Sequence, residues 1–397
     1  MPLDTLIVKF AAPCNLACSY CYEYSRGDET WRSKPKFLSA DIARKIGERI
    51  REYTSLHHLT HFKVIAHGGE PLLMGAQRLG DTFQIIRQAA YPASLKFSLQ
   101  TNCTLIDEEF CEVFRDNCVL VGASLDGGNQ LHNSLRINHG GKPAWDKIVL
   151  GLEILRSKYP EGYGGILCVV NTDHHPCEVI DGLMAFAPPV IDLLQPFMSL
   201  DLAGADRERI AATFGEWMVT ALHHWLNNHC HKETRIRYLE DALRASITGK
   251  PTTDWFGSRT LSYLVIETDG KLDLSDQLKA AGASSANFRA LGSSVWDCDF
   301  DEALTAAKGL ISENYGDQLP DDCVDCRWSD VCGAGHLPSR FSQARGFNNR
   351  STYCEGIQMV LDESRRLTES LVGVSKIFPL DQPTLLASHF DEHSRAN

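Results

Sequence analysis

The sequence lacks the features that mark several classes of protein. No apolar run approaches the roughly 20 residues that cross a bilayer, and MPLDTLIVKFAAPC, residues 1–14, has neither a basic leader nor an apolar segment of secretory length. Lys and Arg form no long run, and the formal net charge is −12 at pH 7. A broad nucleic-acid-binding face needs clustered positive charge. We therefore expect a cytoplasmic protein with no nucleic-acid partner and no membrane partner.

Cysteine, by contrast, is abundant: 14 occur in 397 residues. Disulfides are rare in a reducing compartment, so clustered cysteines indicate metal sites and scattered ones indicate packing. Two clusters stand out, described below. The remaining cysteines are predicted to pack in the core as small hydrophobic residues. They are Cys103, Cys111, Cys118, Cys168, Cys177, Cys230 and Cys298.

Up to about residue 225, short β-rich runs alternate with amphipathic helical stretches, which predicts repeated βα units around a parallel sheet. The predicted strands are TLIVKF, HFKVIAHG, LKFSLQTN, LVGASLDG, GILCVVNT and IDLLQPFM. Ser39 is the predicted N-cap of the first helix, and Pro143 is predicted to open the helix of PAWDKIVLGLEILRSK. Six units are too few to close an eightfold barrel. The predicted fold class is therefore α/β, with a partial (β/α)6 barrel.

The alternation stops after a long predicted helix at about 206–230. A hairpin with Asp269 and Gly270 at its turn follows, then a helix in DEALTAAKGLISENY, the second cysteine cluster and a closing helix. We divide the chain into a partial barrel at 1–230, a bridging segment at 231–255, a second domain at 256–372 and a tail at 373–397.

Polar or glycine-rich residues follow the second, third and fourth predicted strands, in HGGEP, QTNCT and SLDGG, and the first cysteine cluster follows the first strand. In parallel α/β folds, the loops after the carboxyl ends of the strands converge, and ligands bind there. These four segments are therefore predicted to form one site.

The first cluster has the spacing CxxxCxxC, at Cys14, Cys18 and Cys21. Three thiolates can hold three irons of a [4Fe–4S] cluster, whereas an electron-transfer cluster normally takes four protein ligands. One iron is then open to a substrate or cofactor, as in catalytic metal sites. A zinc loop completed by one of the nearby histidines, His57, His58, His61 or His67, is the alternative.

Together, this spacing, Tyr20 directly before the third cysteine, and GGEP after strand two resemble the radical S-adenosylmethionine (SAM) superfamily. The resemblance implies that SAM chelates the open iron and that its reductive cleavage gives a 5′-deoxyadenosyl radical. It also implies an external electron donor such as flavodoxin or ferredoxin. The SAM contacts that it implies are Tyr20, Gly68, Gly69, Glu70, Gln100, Thr101, Asn102, Ser124, Asp126 and Arg136. Arg136 would pair with the SAM carboxylate; a surface ion pair is the alternative.

The second cluster resembles the C-terminal SPASM domain of radical SAM enzymes that act on peptides. Its predicted iron ligands are Cys323, Cys326, Cys332 and Cys354. The full SPASM pattern has seven cysteines for two auxiliary clusters, but Ser275 and His336 stand at two of those positions, and a third cysteine is absent from DWFGSRTLSYL. We therefore expect one auxiliary [4Fe–4S] cluster, with a four-thiolate zinc site as the alternative. His336 is expected to have a structural or substrate-facing role, or to ligate iron.

Asp276 occupies the place where sulfatase-maturing relatives carry a catalytic aspartate, so we nominate it as the catalytic base; an exposed carboxylate like Asp273 is the alternative. The degenerate SPASM pattern, with CGAGHLPSRF and RGFNN, resembles maturases that form three-residue cyclophanes in ribosomally made peptides. The resemblance implies an enzyme that joins an aromatic ring carbon to a β-carbon of a precursor peptide.

Other products remain open at this point. Thioether formation and formylglycine formation use the same machinery, and a non-catalytic, zinc-bound peptide-binding protein is the remote alternative. Because the cysteine loop begins at residue 14, no leader-binding winged-helix module fits before it. We therefore expect the precursor to dock on the barrel or SPASM surface, or through a partner protein.

Overall fold

The fold is described from a computed structural model, which covers residues 3–230, 233–253, 255–256, 263–315 and 319–370. The predicted tail at 373–397 lies outside these residues. The described strands are β1 (Thr5–Ala11), β2 (His61–Gly68), β3 (Ser94–Thr101), β4 (Val119–Ser124), β5 (Tyr163–Val169), β6 (Val190–Leu194), β7 (Arg235–Ile236), β8 (Tyr263–Ile266), β9 (Lys271–Asp273) and β10 (Ala290–Ser294).

Helices connect and cover these strands. The described α-helices are α1 (Ala40–Leu56), α2 (Ala76–Ala90), α3 (Glu108–Asn117), α4 (Trp145–Lys158), α5 (Pro176–Met184), α6 (Leu200–Ala203), α7 (Arg207–Asn228), α8 (Arg237–Thr248), α9 (Ala286–Arg289), α10 (Phe300–Tyr315), α11 (Ser329–Cys332) and α12 (Cys354–Ser370). Among the described helices, none is both long and apolar enough to cross a membrane.

All ten strands belong to one mixed sheet in the order β10-β9-β8-β1-β2-β3-β4-β5-β6-β7. Strands β1 to β6 are parallel neighbours in chain order, and β7 extends that run. They correspond to the six predicted strands, so the predicted α/β class and partial (β/α)6 barrel are confirmed. Their carboxyl ends lie at one edge, where the predicted site residues lie.

The predicted hairpin is also present, and it joins the sheet of the barrel. Strand β8 pairs in parallel with β1, and β9 and β10 continue the sheet in the antiparallel sense. Gly270, at the turn, has a φ of +82°, which glycine adopts without the Cβ strain of other residues. Because β1 is shared, hydrogen bonds link residues 263–294 directly to the barrel. The division of the chain into the four segments predicted above remains a proposal.

Local sequence signals explain where several helices begin. The Ser39 side chain accepts a hydrogen bond from the backbone N–H of Ile42, as predicted for the N-cap of α1. Asp107 caps α3 in the same way, accepting from Phe110 N. The prediction for Pro143 was wrong: α4 begins at Trp145, after an N-cap at Ala144. Pro143 instead pairs with Ile137 in an isolated bridge, which keeps it out of the helix.

The scattered cysteines follow the packing prediction only in part. Cys103, Cys111 and Cys168 are buried, and Cys177 and Cys298 are half-buried. Cys118 and Cys230 are exposed, so the prediction was wrong for both. Each lies just beyond the end of a helix, where the chain turns at the surface: Cys118 is the left-handed C-cap of α3, and Cys230 follows α7.

Candidate active site

The loop after β1 carries the first three cysteines, which are Cys14, Cys18 and Cys21. All three are half-buried. Ala17 N donates to Ile137 O (2.7 Å), which ties the loop to the segment before α4. Two N–H groups approach Cys14 Sγ, from Leu16 N at 3.4 Å and from Asn102 Nδ2 at 3.8 Å. The loop is thus held in place, with hydrogen-bond donors directed at a sulfur.

The end of β2 packs tightly against this loop, and glycine makes that approach possible. Gly69 N donates to Ala11 O (2.9 Å), and Glu70 N donates to Pro13 O (3.0 Å). A Cβ atom at Gly69 would lie 2.2 Å from Pro13 O, far inside van der Waals contact. At Gly68, φ is +141°, a conformation that side chains disfavour. Both glycines therefore have a steric reason to be glycine.

Glu70 joins strands β2 and β3 through its buried carboxylate. It accepts hydrogen bonds from Leu72 N (3.1 Å), Thr101 Oγ1 (2.8 Å) and Asn102 N (2.8 Å). Burial raises the pKa of Glu70 to about 7, although these three donors act in the opposite direction. Two carboxylate oxygens offer about four acceptor directions. About one direction remains for a further donor.

Asp126 and Arg136 form a buried, two-bonded ion pair after β4. Arg136 Nε lies 2.8 Å from Asp126 Oδ2, and Arg136 Nη2 lies 2.9 Å from Oδ1. Tyr20 donates to the same carboxylate (Oη to Oδ2, 2.6 Å), and the Arg136 guanidinium lies 5.5 Å from the Tyr20 ring centre. Arg136 is only 5% exposed, so the surface ion pair considered from the sequence is wrong. The pair connects the cysteine loop to β4.

Polar side chains from β3 and β4 complete this edge of the sheet. Gln100 Nε2 donates to Ser124 Oγ (2.7 Å), and Asn102 Nδ2 donates to Asn15 Oδ1 (2.9 Å). Gly122 faces the Gln100 side chain, and a Cβ there would lie 2.3 Å from Gln100 Oε1. The Asn102 contact therefore places the end of β3 beside the loop of Cys14, and Gln100 links β3 to β4.

A buried cluster of charges surrounds Lys9 of β1. The Lys9 ammonium contacts the carboxylates of both Glu23 and Asp276, and lies 3.2 Å from His67 Nδ1. Tyr22 donates to Asp276 Oδ2 (3.0 Å). Lys9 and His67 meet because they are partners in the register of β1 and β2. Asp276 is 2% exposed, so the exposed-carboxylate alternative is wrong for it.

The same cluster continues through Lys279, whose ammonium bridges Glu23 Oε2 (2.7 Å) and Glu267 Oε1 (2.9 Å). Lys34 also reaches Glu267 Oε1, at 3.0 Å. The cluster thus contains three ammonium groups and three carboxylates. The ammonium groups are those of Lys9, Lys34 and Lys279, and the carboxylates are those of Glu23, Glu267 and Asp276. Buried charges are costly unless paired, and this balance of charge satisfies that requirement.

Burial alone would raise the pKa of Asp276, but the Lys9 ammonium and His67 hold it below its usual range. Burial and then Lys9 lower the pKa of His67 to about 4. At neutral pH, Asp276 is therefore a carboxylate and His67 is a neutral imidazole.

Four rings gather beside Asp276, and we call Tyr22, Phe197, Trp255 and His336 the aromatic group. Phe197 contacts Tyr22 edge-on (centroids 5.1 Å apart) and stacks on His336 (5.0 Å). Trp255 lies 5.1 Å from His336 and 6.1 Å from Phe197. His336 Nε2 lies 2.5 Å from Oε1 of Gln277, the residue after Asp276. The aromatic group and the carboxylate therefore lie side by side.

The second set of cysteines lines one cavity, of about 320 Å³ including its open mouth. The set is Cys323, Cys326, Cys332 and Cys354. Gln358 Nε2 donates to Cys354 Sγ (3.3 Å), and Trp328 and Arg350 also line the space. Burial raises the pKa of Cys323 to about 11 and that of Cys332 to about 12. Four thiols thus converge on one cavity, where only a bound metal would favour the thiolate form.

Two comparisons decide the fold. Residues 8–182 match the family model of the Radical SAM superfamily. The structure of native anSMEcpe with bound AdoMet superposes with a TM-score of 0.78 at 21% identity, covering 93% of this chain and 99% of that chain. The chain has the radical SAM fold.

Curated proteins similar to this chain include anaerobic sulfatase-maturating enzymes. The cysteine-type enzyme of Clostridium perfringens is 24% identical over 364 residues, or 89% of this chain and 94% of that protein. The serine-type enzyme of Klebsiella aerogenes is 28% identical over 358 residues, or 88% and 82%. The serine-type enzyme of Bacteroides thetaiotaomicron is 32% identical over 155 residues, or 39% and 37%.

The predicted cofactors are those of the radical SAM fold, and the donor atoms fit them. One zinc ion holds its thiolates at about 2.3 Å, which places tetrahedral sulfurs about 3.8 Å apart. Among the described residues, the only set of three or more Cys, His, Asp or Glu donor atoms within 4.8 Å of one another is Asp181, His224 and His229. Both cysteine sets are spread more widely, which suits multi-iron clusters. Cys14, Cys18 and Cys21 fit the SAM-binding cluster, and the second set fits the auxiliary one.

Burial raises the pKa of Cys21 to about 12 and also raises the pKa values of Cys14 and Cys18. Desolvation by itself would keep these groups as neutral thiols. The positive charge of bound iron favours the thiolate instead, so the first cysteine set has the chemistry of a metal site.

The structure brings the predicted SAM contacts to one edge of the sheet, although their roles toward SAM remain a proposal. The sequence analysis missed the buried cluster around Lys9. Lys9 interrupts the apolar run of TLIVKF, and Glu23 follows the cysteine motif in CYEY. A charged residue inside a buried parallel strand departs from the usual apolar pattern. Lys9 within this apolar strand was therefore the sequence signal that could have predicted a buried charge cluster.

Proposed function

We propose that the protein is a radical SAM enzyme that modifies a ribosomally made precursor peptide. The product that we propose is a cyclophane, in which an aromatic ring carbon is joined to the β-carbon of a nearby residue. The observation that carries this proposal is the aromatic group beside Asp276. Two aromatic rings in contact stabilise each other by more than the burial of their apolar surface alone contributes. Phe197 is half-buried, so it is suited to hold a substrate ring next to the carboxylate, whereas Trp255 is 4% exposed and supports Phe197 from behind.

Each set of cysteines has its own role in this proposal. When bound, the cluster at Cys14, Cys18 and Cys21 with SAM supplies a radical that removes a β-hydrogen atom, and the auxiliary cluster supplies an electron acceptor. Glu70 holds the SAM amino group with its remaining acceptor direction. Gln100 and Asn102 bind the ribose and methionine parts. Arg136 keeps guanidinium N–H groups beyond those bonded to Asp126, and it binds the SAM carboxylate.

Asp276 accepts the proton that leaves the ring once the new carbon–carbon bond has formed. Two hydrogens are lost overall: one atom from the β-carbon, and then one electron and one proton from the ring. A ring carbon that regains aromaticity loses its proton readily, so a carboxylate with a lowered pKa is basic enough. Removing the proton of a serine hydroxyl is more demanding, and a general base works best when its pKa suits its task.

Formylglycine formation is the second candidate, and the comparisons favour it. The sulfatase-maturating enzyme of Clostridium perfringens matches over 94% of its length. Native anSMEcpe with bound AdoMet and Cp18Cys peptide superposes with a TM-score of 0.77. Ser275 and His336 distinguish this chain from the full SPASM pattern with two auxiliary clusters. Thioether formation is a third peptide oxidation, and no specific contact favours it.

The decisive experiment is coexpression with short open reading frames that neighbour the gene, followed by tandem mass spectrometry of each peptide. A cyclophane product loses two hydrogens, resists cleavage between the joined residues and gives no hydrazone with an aldehyde reagent. A formylglycine product carries an aldehyde, so it does form a hydrazone with a hydrazide reagent. NMR of the product separates a carbon–carbon bond from a thioether.

Two variants make this experiment specific. Cys18→Ala should abolish both 5′-deoxyadenosine release and peptide modification. Phe197→Ala should leave SAM cleavage largely intact but reduce crosslinking, because the ring-binding surface is lost. A hydrazide-reactive product would replace the cyclophane proposal with formylglycine formation. Abundant zinc without iron after anaerobic purification would contradict the enzyme proposal as a whole.

A further inference from the structure

A second kind of donor cluster lies outside the candidate active site, between α5 and α7. Asp181 belongs to α5, His224 to the last turn of α7, and His229 is the C-cap residue of α7. His224 Nε2 lies 2.7 Å from Asp181 Oδ1, and His229 Nε2 lies 2.6 Å from the same oxygen. Two imidazoles from one helix end therefore converge on one carboxylate of another helix.

We propose that Asp181, His224 and His229 form a binding site for one divalent transition-metal ion such as Zn²⁺. Imidazole nitrogens and a carboxylate oxygen are ordinary zinc ligands at about 2.0–2.2 Å. Three protein ligands leave a fourth position, which water fills at this solvent-facing site. The ion takes the place of the protons that now join each Nε2 to the carboxylate.

The geometry requires only small movements to accept an ion. The three donor atoms lie within 4.8 Å of one another, and ligands at about 2.1 Å in a tetrahedron are about 3.4 Å apart. Asp181 Oδ1, now 2.7 and 2.6 Å from the two Nε2 atoms, must therefore move away from each by less than about 1 Å. The Asp181 side chain is 54% exposed and free to shift outward, whereas those of His224 and His229 are 15% and 8% exposed. The half-buried ring of His224 and the buried ring of His229 form the fixed part of the site.

A neighbouring amide supports the orientation of one imidazole. Asn228 Nδ2 lies 3.2 Å from His224 Nδ1 and 3.0 Å from His224 O. Nδ2 donates to His224 O here. When an ion takes Nε2, the ring proton moves to Nδ1, and rotation of the exposed Asn228 side chain presents Oδ1 as the acceptor for Nδ1–H in place of that bond. A metal-binding histidine needs that outer hydrogen bond to present Nε2 to the ion.

An ion at this site would join two parts of the chain. Helix α5 follows β5 of the barrel, whereas α7 packs against α12, which begins at the auxiliary-cluster residue Cys354. Trp217 Nε1 already donates to His174 O (2.8 Å) between α7 and the loop before α5. The ion adds a second link at the far end of the same interface. Its role is therefore to stabilise that interface.

The test is a zinc titration of the anaerobically reconstituted holoprotein, with zinc and iron counted by plasma mass spectrometry. We expect one zinc per chain in addition to the iron, and X-ray absorption with a nitrogen and oxygen shell free of sulfur. His224→Gln and Asp181→Asn should weaken zinc binding by about tenfold or more. Zinc should raise the thermal unfolding midpoint of the parent protein but not of these variants.

His223→Gln provides the matched control, because His223 is adjacent on α7 but bonds to Glu363 (2.7 Å). It should bind zinc as the parent protein does. Sulfur ligands in the absorption spectrum would assign the zinc to the cysteine sets and overturn the proposal. Equal zinc affinity in the parent protein and in His224→Gln would also overturn it. These readouts do not depend on peptide modification, so the proposed function can fail without affecting them.

Discussion

The ammonium of Lys9 and the carboxylate of Asp276 form a buried ion pair across 267 positions of sequence. Lys9 belongs to β1, and Asp276 opens the 3₁₀ helix Asp276–Ala281 that follows the β8–β9 hairpin. The pair holds the proposed base as an anion and fixes it against the strand that leads into the first cysteine loop. The position of the proposed base and the packing of β1 therefore depend on the same contact.

Lys9→Met should be strongly destabilising. Removing one partner of a buried ion pair leaves the other charge without compensation, at a cost of about 3–5 kcal/mol. Urea unfolding under anaerobic conditions measures this cost. Lys63→Met, at an exposed position of β2, should change the free energy of unfolding by less than about 0.5 kcal/mol.

A double variant separates the ion pair from general packing. Lys9→Met with Asp276→Asn should be more stable than the sum of the two single changes predicts, because neither charge is then left without its partner. Additive effects would show that Lys9 stabilises the protein without help from Asp276.

His67 should make the stability depend on pH. Its pKa is lowered to about 4 in the folded protein, against about 6.5 when unfolded. As pH falls below 6.5, the unfolded state binds a proton that the folded state does not, so stability is lost. Between pH 6.5 and 5, the unfolding free energy of the parent should fall by about 1–2 kcal/mol more than that of His67→Gln. Parallel pH profiles would contradict this assignment.

Gly69→Ala tests the close approach of β2 to the cysteine loop. The added methyl group would meet Pro13 O at 2.2 Å, and such overpacking costs about 1–3 kcal/mol. We expect lower iron content and weaker SAM binding, measured by iron analysis and equilibrium dialysis. Gly309→Ala, in open space on α10, should be neutral or stabilise the helix by up to about 1 kcal/mol. Unchanged iron and SAM binding in Gly69→Ala would refute this role for the glycine.

Cysteine variants should separate the two clusters. The reconstituted parent should hold about eight irons, and Cys332→Ala about four. Cys332→Ala should still release 5′-deoxyadenosine while losing crosslinked product, whereas Cys18→Ala should lose both. Cys118→Ala, at an exposed position remote in sequence from either set, should keep the iron content of the parent. Full iron retention in Cys332→Ala would remove the auxiliary cluster from the proposal.

Much of the architecture could be predicted because its signals are local. The period of the apolar residues predicted β1 to β6 correctly, and Ser39 marked the start of α1. The cysteine spacing marked the loop after β1 in which we expect the first cluster. The N-cap oxygen and the three thiols act within a few residues, so their pattern is visible in a short stretch of sequence.

For the buried cluster around Lys9, the local sequence shows only that Lys9 interrupts an apolar strand, and not which residues gather around it. Its members come from β1, the loop after it, β2 and the segment after β8, and only the sheet register brings them together. The same reason hid Asp181, His224 and His229, since 43 and 48 positions separate the carboxylate from the two rings. The parallel pairing of β8 with β1 was also unforeseen, because no local signal specifies which edge a hairpin will join.

The position of β1 has a consequence for synthesis of the chain. Strand β1 ends at Ala11, yet one of its two neighbours, β8, runs from Tyr263 to Ile266. A ribosome must therefore translate every residue between these two strands before the N–H and C=O groups on that side of β1 find their partners. An open strand edge is a template for pairing with other chains, and incomplete chains expose it. Truncation before residue 263 should therefore yield an aggregating nascent product rather than a smaller folded protein.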